Sequence, residues 1–243
     1  RWVQKTNIES GSSLTVRKGD FASWDLVNNG QITITEGALL HNRKMLSSGT
    51  ILNQGTLYLE KDHDDGTSGQ FALTGNASII NEGLLDASEG QTEITLNGAS
   101  SLVSEKETIA SFSTLTVNED AKVEIKGDGS GETLNVAGNG SYKIGSTSEN
   151  TWKDISVAGG LLVNEGVLNP AAEGEEPKQL GNLTVSGGQF VNDGSADFDR
   201  LKTIGSGDAG TPAVTNKSGK ELKASTLDLA SGLSNEGTLL LWV

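Results

Sequence analysis

VAGGLLVNEG, from Val157 to Gly166, returns 28 residues later as VSGGQFVNDG, from Val185 to Gly194. Both open on a valine, pass a glycine-bearing bend, resume with apolar residues and close on Asn-x-Gly. The closing phrase recurs as VNNGQITI (Val27 to Ile34), LNQGTLYL (Leu52 to Leu59), INEGLLDA (Ile80 to Ala87), VNEGVLNP (Val163 to Pro170), VNDGSADF (Val191 to Phe198) and SNEGTLLL (Ser234 to Leu241). In most of them the second and fourth residues after Gly are apolar, the period of a strand with one face buried. Taking the opening anchors as Val16, Leu46, Leu73, Leu96, Val117, Val136, Val157, Val185, Ile204 and Leu229 gives a mean step of about 24 residues, within the range of solenoid repeats. The middle repeats TLNGASSLV (from Thr95), TVNEDAKVEI (from Thr116) and NVAGNGSYKI (from Asn135) lose Asn-x-Gly and keep the rest.

Short strands at fixed spacing leave an antiparallel sandwich or a parallel β-helix. Strands of a sandwich need not resemble one another, whereas in a β-helix every coil repeats the same task and like residues stack on like. The repetition therefore predicts an all-β fold: a right-handed single-stranded parallel β-helix of about ten coils, right-handed because parallel crossovers are, about 45–50 Å long at one strand spacing per coil. Residues 1–243 read as a single β-solenoid domain. Asn28, Asn53, Asn81, Asn164, Asn192 and Asn235 are expected to form a structural ladder at one corner, donating to and accepting from the coils above and below. A cross-section of one coil suits Val, Leu and Ile, and large aromatics are expected to stay outside. Gly and Asn at the bends suit positive φ. Only Ser104 to Phe112 is allowed a helical turn. Loops are expected at Lys18 to Leu26, Lys61 to Gly69, Pro170 to Leu180 and Asp208 to Ala213, which are polar or turn-rich.

Composition narrows the function. Acidic residues outnumber basic ones 32 to 18, a net charge of -14, which repels phosphate backbones and anionic lipid, so no nucleic-acid partner is expected. The absence of Cys removes disulfides, thiolate zinc sites and thiol nucleophiles. No apolar run approaches the roughly 20 residues that span a bilayer. Arg1 in place of Met suggests a processed or excised piece, and the apolar end Leu239 to Val243, lacking a polar cap, suggests that the natural protein continues beyond Val243.

Acidic, Cys-free, Gly/Asn-rich coils with NxGxL phrases resemble the passenger domains of bacterial autotransporters (type V secretion), the adhesin-like members above all. The resemblance runs from Val16 to Leu241 and is one of texture. It implies a cell-surface location, outer membrane-anchored or secreted. It also implies a carboxyl-terminal membrane barrel outside this chain, and a role in cell aggregation, biofilm formation or host attachment. The partners would be copies on apposed cells, a host glycan or a matrix protein. The serine-protease phrase that some members carry is missing: GDGSG, Gly127 to Gly131, departs from it and reads as a turn.

His41 and His63 are the only histidines available to a catalytic triad, and His41 reads as a surface turn. Asp62, Asp64 and Asp65 could offer carboxylates to calcium, but Gly66 stands fifth rather than sixth and Leu73 occupies the twelfth position of an EF-hand, so a solvated acidic loop is preferred and no metal or cofactor is assigned. Glu173, Glu175 and Glu176 form a second acidic loop. The four scattered Arg do not make the cationic groove that an acidic-sugar enzyme needs. Trp24, His63, Trp152, Glu173, Glu175 and Glu176 are the contact-loop candidates, exposed Trp being a usual contact residue, although Trp152 could equally cover a corner between coils. Thr33 and Thr35 supply one Thr-x-Thr pair whose register is not sustained. The reading is a non-enzymatic surface rod for attachment or self-association. A carbohydrate-active β-helix enzyme and an inert spacer stalk are the alternatives.

Overall fold

A computed structural model describes residues 2–61, 69–170, 181–205 and 211–241. Among them there is no helix, and the strands form two parallel sheets of 15 and 11 strands. In the smaller sheet Ser13–Val16, Gln31–Ile34, Thr50–Asn53, Ser78–Asn81 and Ser101–Ser104 lie side by side in chain order, one strand from each successive coil. The larger sheet takes the longer strands between them, such as Ala38–Ser47, Asp128–Ala137, Glu149–Ala158 and Ser195–Ile204. The chain is a parallel β-solenoid of about ten turns.

The long strands bend halfway. In Glu149–Ala158 the alternation of buried and exposed residues slips by one at Lys153 and Asp154, both of which face out. A slip in a period-two pattern turns the inward side and makes a corner. The long sheet therefore has two arms and, with the short sheet, gives each coil three faces. In three coils the strand is divided at that corner, as in Thr56–Leu59 with Gly69–Leu73, Leu84–Ala87 with Thr92–Leu96, and Val167–Leu168 with Asn182–Ser186.

Inward positions stack in columns one residue wide. Leu26, Met45, Phe71, Ile94, Leu115, Leu134, Ile155, Leu183 and Leu201 occupy one register position in successive coils and are all buried. Each such side chain contributes about 1.5–3 kcal/mol on burial, so a coil holding several can offset the cost of ordering its backbone.

The register corrects several expectations. The anchors from Leu73 to Val185 do form one inward column, but it opens on Ile8, its next positions are Asn28 and Ser47, and a later one is Thr203. A search for apolar anchors steps aside there, to Leu46 and Ile204, or onto the other sheet at Val16. The displaced anchor made the first coil look long: Lys18 to Leu26 is no loop, since Gly19–Asn28 is a strand paired on both sides. The loops expected at Lys61 to Gly69, Pro170 to Leu180 and Asp208 to Ala213 fall mostly outside the described residues. Ser104 to Phe112 holds no helical turn; the chain turns at Lys106–Glu107, with Glu107 at φ 62°, and Ile109–Val117 is a strand. GDGSG enters a strand after its first residue: Gly127 lies at the bend and Asp128 to Gly131 open the strand Asp128–Ala137.

The glycines of Asn-x-Gly are chosen for closeness rather than for positive φ. A Cβ on Gly194 would overlap the carbonyl oxygen of Gly166, its counterpart one coil away. Positive φ belongs to other glycines, such as Gly159 at φ 86° between the second arm and the short sheet and Gly37 at φ 73° between the short sheet and the first arm.

Candidate functional site

The asparagine ladder occupies the inward end of the short strands, and it is a ladder of different membership from the one expected. Asn164, Asn192, Asn216 and Asn235 share one register position. Each amide Nδ2 donates to the next coil's Oδ1, at 2.8, 2.8 and 2.7 Å. Asn53 donates to Asn81 at 2.7 Å, and Asn81 passes the chain to the Ser104 hydroxyl at 3.0 Å. The same amides also reach backbone carbonyls of Leu84, Ser195 and Glu221, each at 2.8 Å. Ile125 and Ile144 interrupt the column. Asn28 belongs to the other corner, where its amide donates to Ser47 Oγ at 3.1 Å. The inner rungs are buried and their amides are committed to other coils, so the ladder holds the stack together rather than meeting a ligand.

Trp152 is the second correction. It is fully buried, so it is no contact-loop residue. The polar neighbours that suggested exposure, Thr151, Lys153 and Asp154, lie on the outward side of the bend while the indole points in. It stacks on Phe112 and meets Tyr142 edge-on at 5.9 Å. Phe71, Phe112, Tyr142, Phe190 and Phe198 are buried too, so the interior does take large aromatics. Gly131 and Gly129 make room for them: a side chain on the first would strike Trp152, and a Cβ on the second would come within 2.6 Å of Asn150 Oδ1. Tyr142 donates to that same Oδ1 at 2.6 Å, and burial pushes its hydroxyl pKa far up, leaving a neutral donor.

Outside, two arrangements stand out. At the bend of the first three coils Arg43 lies across two indoles, its Cζ 4.9 Å from the Trp2 ring centre and 4.3 Å from that of Trp24. His41 packs on Trp2 at 4.5 Å and on Tyr58 at 4.8 Å. Glu60 approaches His41 Nε2 at 2.5 Å and the Arg43 guanidinium at 3.6 Å. His41 is thus a mid-strand residue of Ala38–Ser47 rather than a turn. Trp24 is half-buried by these partners, and Arg43 is as well covered as Glu60. Burial, with the Glu89, Asp86 and Glu60 carboxylates around it, raises the Tyr58 pKa. Trp2, Arg43, Tyr58 and Glu60 went unnoticed in the sequence. His41 stands beside Tyr58 in register, but the coil of His41 enters its long strand through Thr35-Glu36-Gly37 and has no Asn-x-Gly phrase there to align it by.

The second arrangement is the outer side of the second arm. Two outward columns run in parallel over five coils: Glu93, Thr114, Thr133, Asp154, Asn182, and Thr95, Thr116, Asn135, Ser156, Thr184. Neighbours bond along the rod, as Asn182 Nδ2 to Asp154 Oδ1 at 3.0 Å and Thr116 Oγ1 to Glu93 Oε1 at 3.4 Å. The columns continue into Arg200 and Lys202, which both approach Asp228. The Thr33 and Thr35 pair makes no such face, because Thr35 sits at a corner and donates to the Arg17 carbonyl at 2.8 Å.

Asp62, His63, Asp64, Asp65, Glu173, Glu175 and Glu176 lie outside the described residues. Among the described residues no group of three or more His, Cys, Asp or Glu gathers to hold a metal ion. No family model, no curated protein and no solved structure matches the chain.

Proposed function

We propose that this β-solenoid is a non-enzymatic attachment module of the bacterial cell surface, similar in kind to an adhesin-like autotransporter passenger. The observation that carries the reading is the outer side of the second arm. It holds two straight columns of short hydrogen-bonding side chains, set at one strand spacing over five coils. Such a surface suits many weak, repeated contacts to a glycan, a matrix protein or a like surface on an apposed cell, and copies on one cell multiply them. The chain's net charge of -14 opposes the approach of like rods, so clumping strengthens as salt rises.

Beads coated with the chain test this. They are expected to clump or to adhere to glycan and matrix coatings, more so in added salt. Thr114→Lys, Thr116→Lys and Thr133→Lys together are expected to abolish the effect while leaving the far-UV circular dichroism unchanged. Adhesion that ignores this face sinks the reading. Inert wild-type beads favour a spacer stalk instead.

A further inference from the structure

The outer side of the short sheet has a pattern that the attachment reading does not use. Its central outward column begins with Thr15 and Thr33 and then turns apolar at Leu52, Ile80 and Val103. Ile80 is 43% exposed, high for a large aliphatic side chain on a flat sheet. At the middle of the rod the column carries one acid followed by one base, Glu124 and then Lys143, with Nζ 3.5 Å from Oε1. Beyond them it is apolar again at Val163 and Val191, then polar at Thr215 and Ser234.

This order is self-complementary. A two-fold axis lying in the face, along the strand direction, between the coils of Glu124 and Lys143, lays a second copy over the first with the rod reversed. Rotation about that axis keeps each residue's position along its strand, so the column meets its own copy. Glu124 then faces Lys143 of the partner, Val103 faces Val163, Ile80 faces Val191, Leu52 faces Thr215 and Thr33 faces Ser234. The charged pair, the apolar pairs at Val103 and Ile80 and the hydroxyl pair at Thr33 match in chemistry, Leu52 against Thr215 is the one mismatch and Thr15 overhangs; each contact occurs twice, as an isologous interface requires.

We propose that two copies of this chain pair through this face as an antiparallel dimer. Ten coils by four residues offer about 600 Å² per copy, roughly 1,200 Å² in all, at the lower limit of specific interfaces. The dimer is therefore weak and reversible. The corner beside the column adds a limit: Glu105 faces Glu165 across the axis and Glu82 faces Asp193. Lys126 on Glu105, Lys143 on Glu165, and Lys217 with Lys220 on Asp193 temper that repulsion. The pairing uses a different sheet from the attachment face, so either idea can fail alone.

Sedimentation of the whole chain over a concentration series is expected to show mass rising from 25.3 kDa toward twice that value. Glu124→Lys alone and Lys143→Glu alone each set like charges across the axis and are expected to weaken the dimer about tenfold or more, whereas mixing these two variants restores pairing between them. Ile80→Lys is expected to abolish it with the circular dichroism unchanged. Because the chain has no Cys, single cysteines report orientation cleanly. A short bismaleimide is expected to join Val103→Cys to Val163→Cys in a mixture, and neither to itself. A chain that stays monomeric throughout, a dimer indifferent to the charge variants, or Val103→Cys cross-linking to its own kind overturns the proposal.

Discussion

Phe112 and Trp152 stack nearly parallel, ring centres 5.7 Å apart and planes 14° apart, although they come from coils that are not neighbours. The coil between them holds Gly131 in the same register position, and the indole leans into the space that glycine leaves. A residue chosen for what it lacks thus joins three layers of the rod.

Gly131→Ala is expected to cost about 1–3 kcal/mol, because the added carbon meets the Trp152 ring inside a packed core. Urea unfolding measures it. Trp152→Leu shrinks the obstacle, so the double variant is expected to lose less than the two single losses added together. Strict additivity would show that the glycine matters for some other reason.

Within the ladder, cost should follow burial. Asn192 accepts from Asn164 and donates to Asn216 and to the Glu221 carbonyl, so Asn192→Ala strands buried partners and is expected to cost about 1–3 kcal/mol. Asn235 is exposed, and Asn235→Ala is expected to cost about 0.5 kcal/mol or less. Equal losses in thermal or chemical melts would contradict the burial argument.

Asp197 supplies a pH signature. Burial raises its pKa, against the opposing pull of Lys223. A carboxyl raised on folding favours the native state while protonated, so that contribution is full below the unfolded pKa and is lost as pH rises through the folded one. Asp197→Asn is therefore expected to melt higher than wild type at neutral pH, with the gap closing as pH falls below the usual carboxylate range. A gap that stays constant across that range would place the effect elsewhere.

At the first bend, Arg43→Ala removes a cation from two indole faces and is expected to cost about 1–2 kcal/mol. Trp emission should shift to the red as the rings gain water. Arg43→Lys keeps the charge without the planar stack, so it should recover only part of the loss.

The sequence made the architecture legible because stacking forces like onto like, and the run from Leu73 to Val185 shows it in plain apolar letters. Legibility failed where an inward position is polar. Asn28 and Ser47 sit in the same column as those leucines and valines, and bonding to each other lets them do so. Asn216 was overlooked because its glycine comes three residues later, at Gly219, rather than two. Trp152 misled because chain neighbours report the near side of a bent strand, while the partner that admits the indole, Gly131, lies one coil away. The Arg43 cluster has the same cause: its members meet across coils, and nothing adjacent in sequence announces them.

Each strand of the rod bonds only to its counterparts in the coils next to it. Stretched from its two ends, the protein should not give way all at once. It should yield in packets of one layer, each releasing about 18 to 28 residues and roughly 60 to 95 Å of chain. A single-molecule pulling trace would then show a row of teeth whose spacing follows the length of each coil, a shock absorber built from repetition.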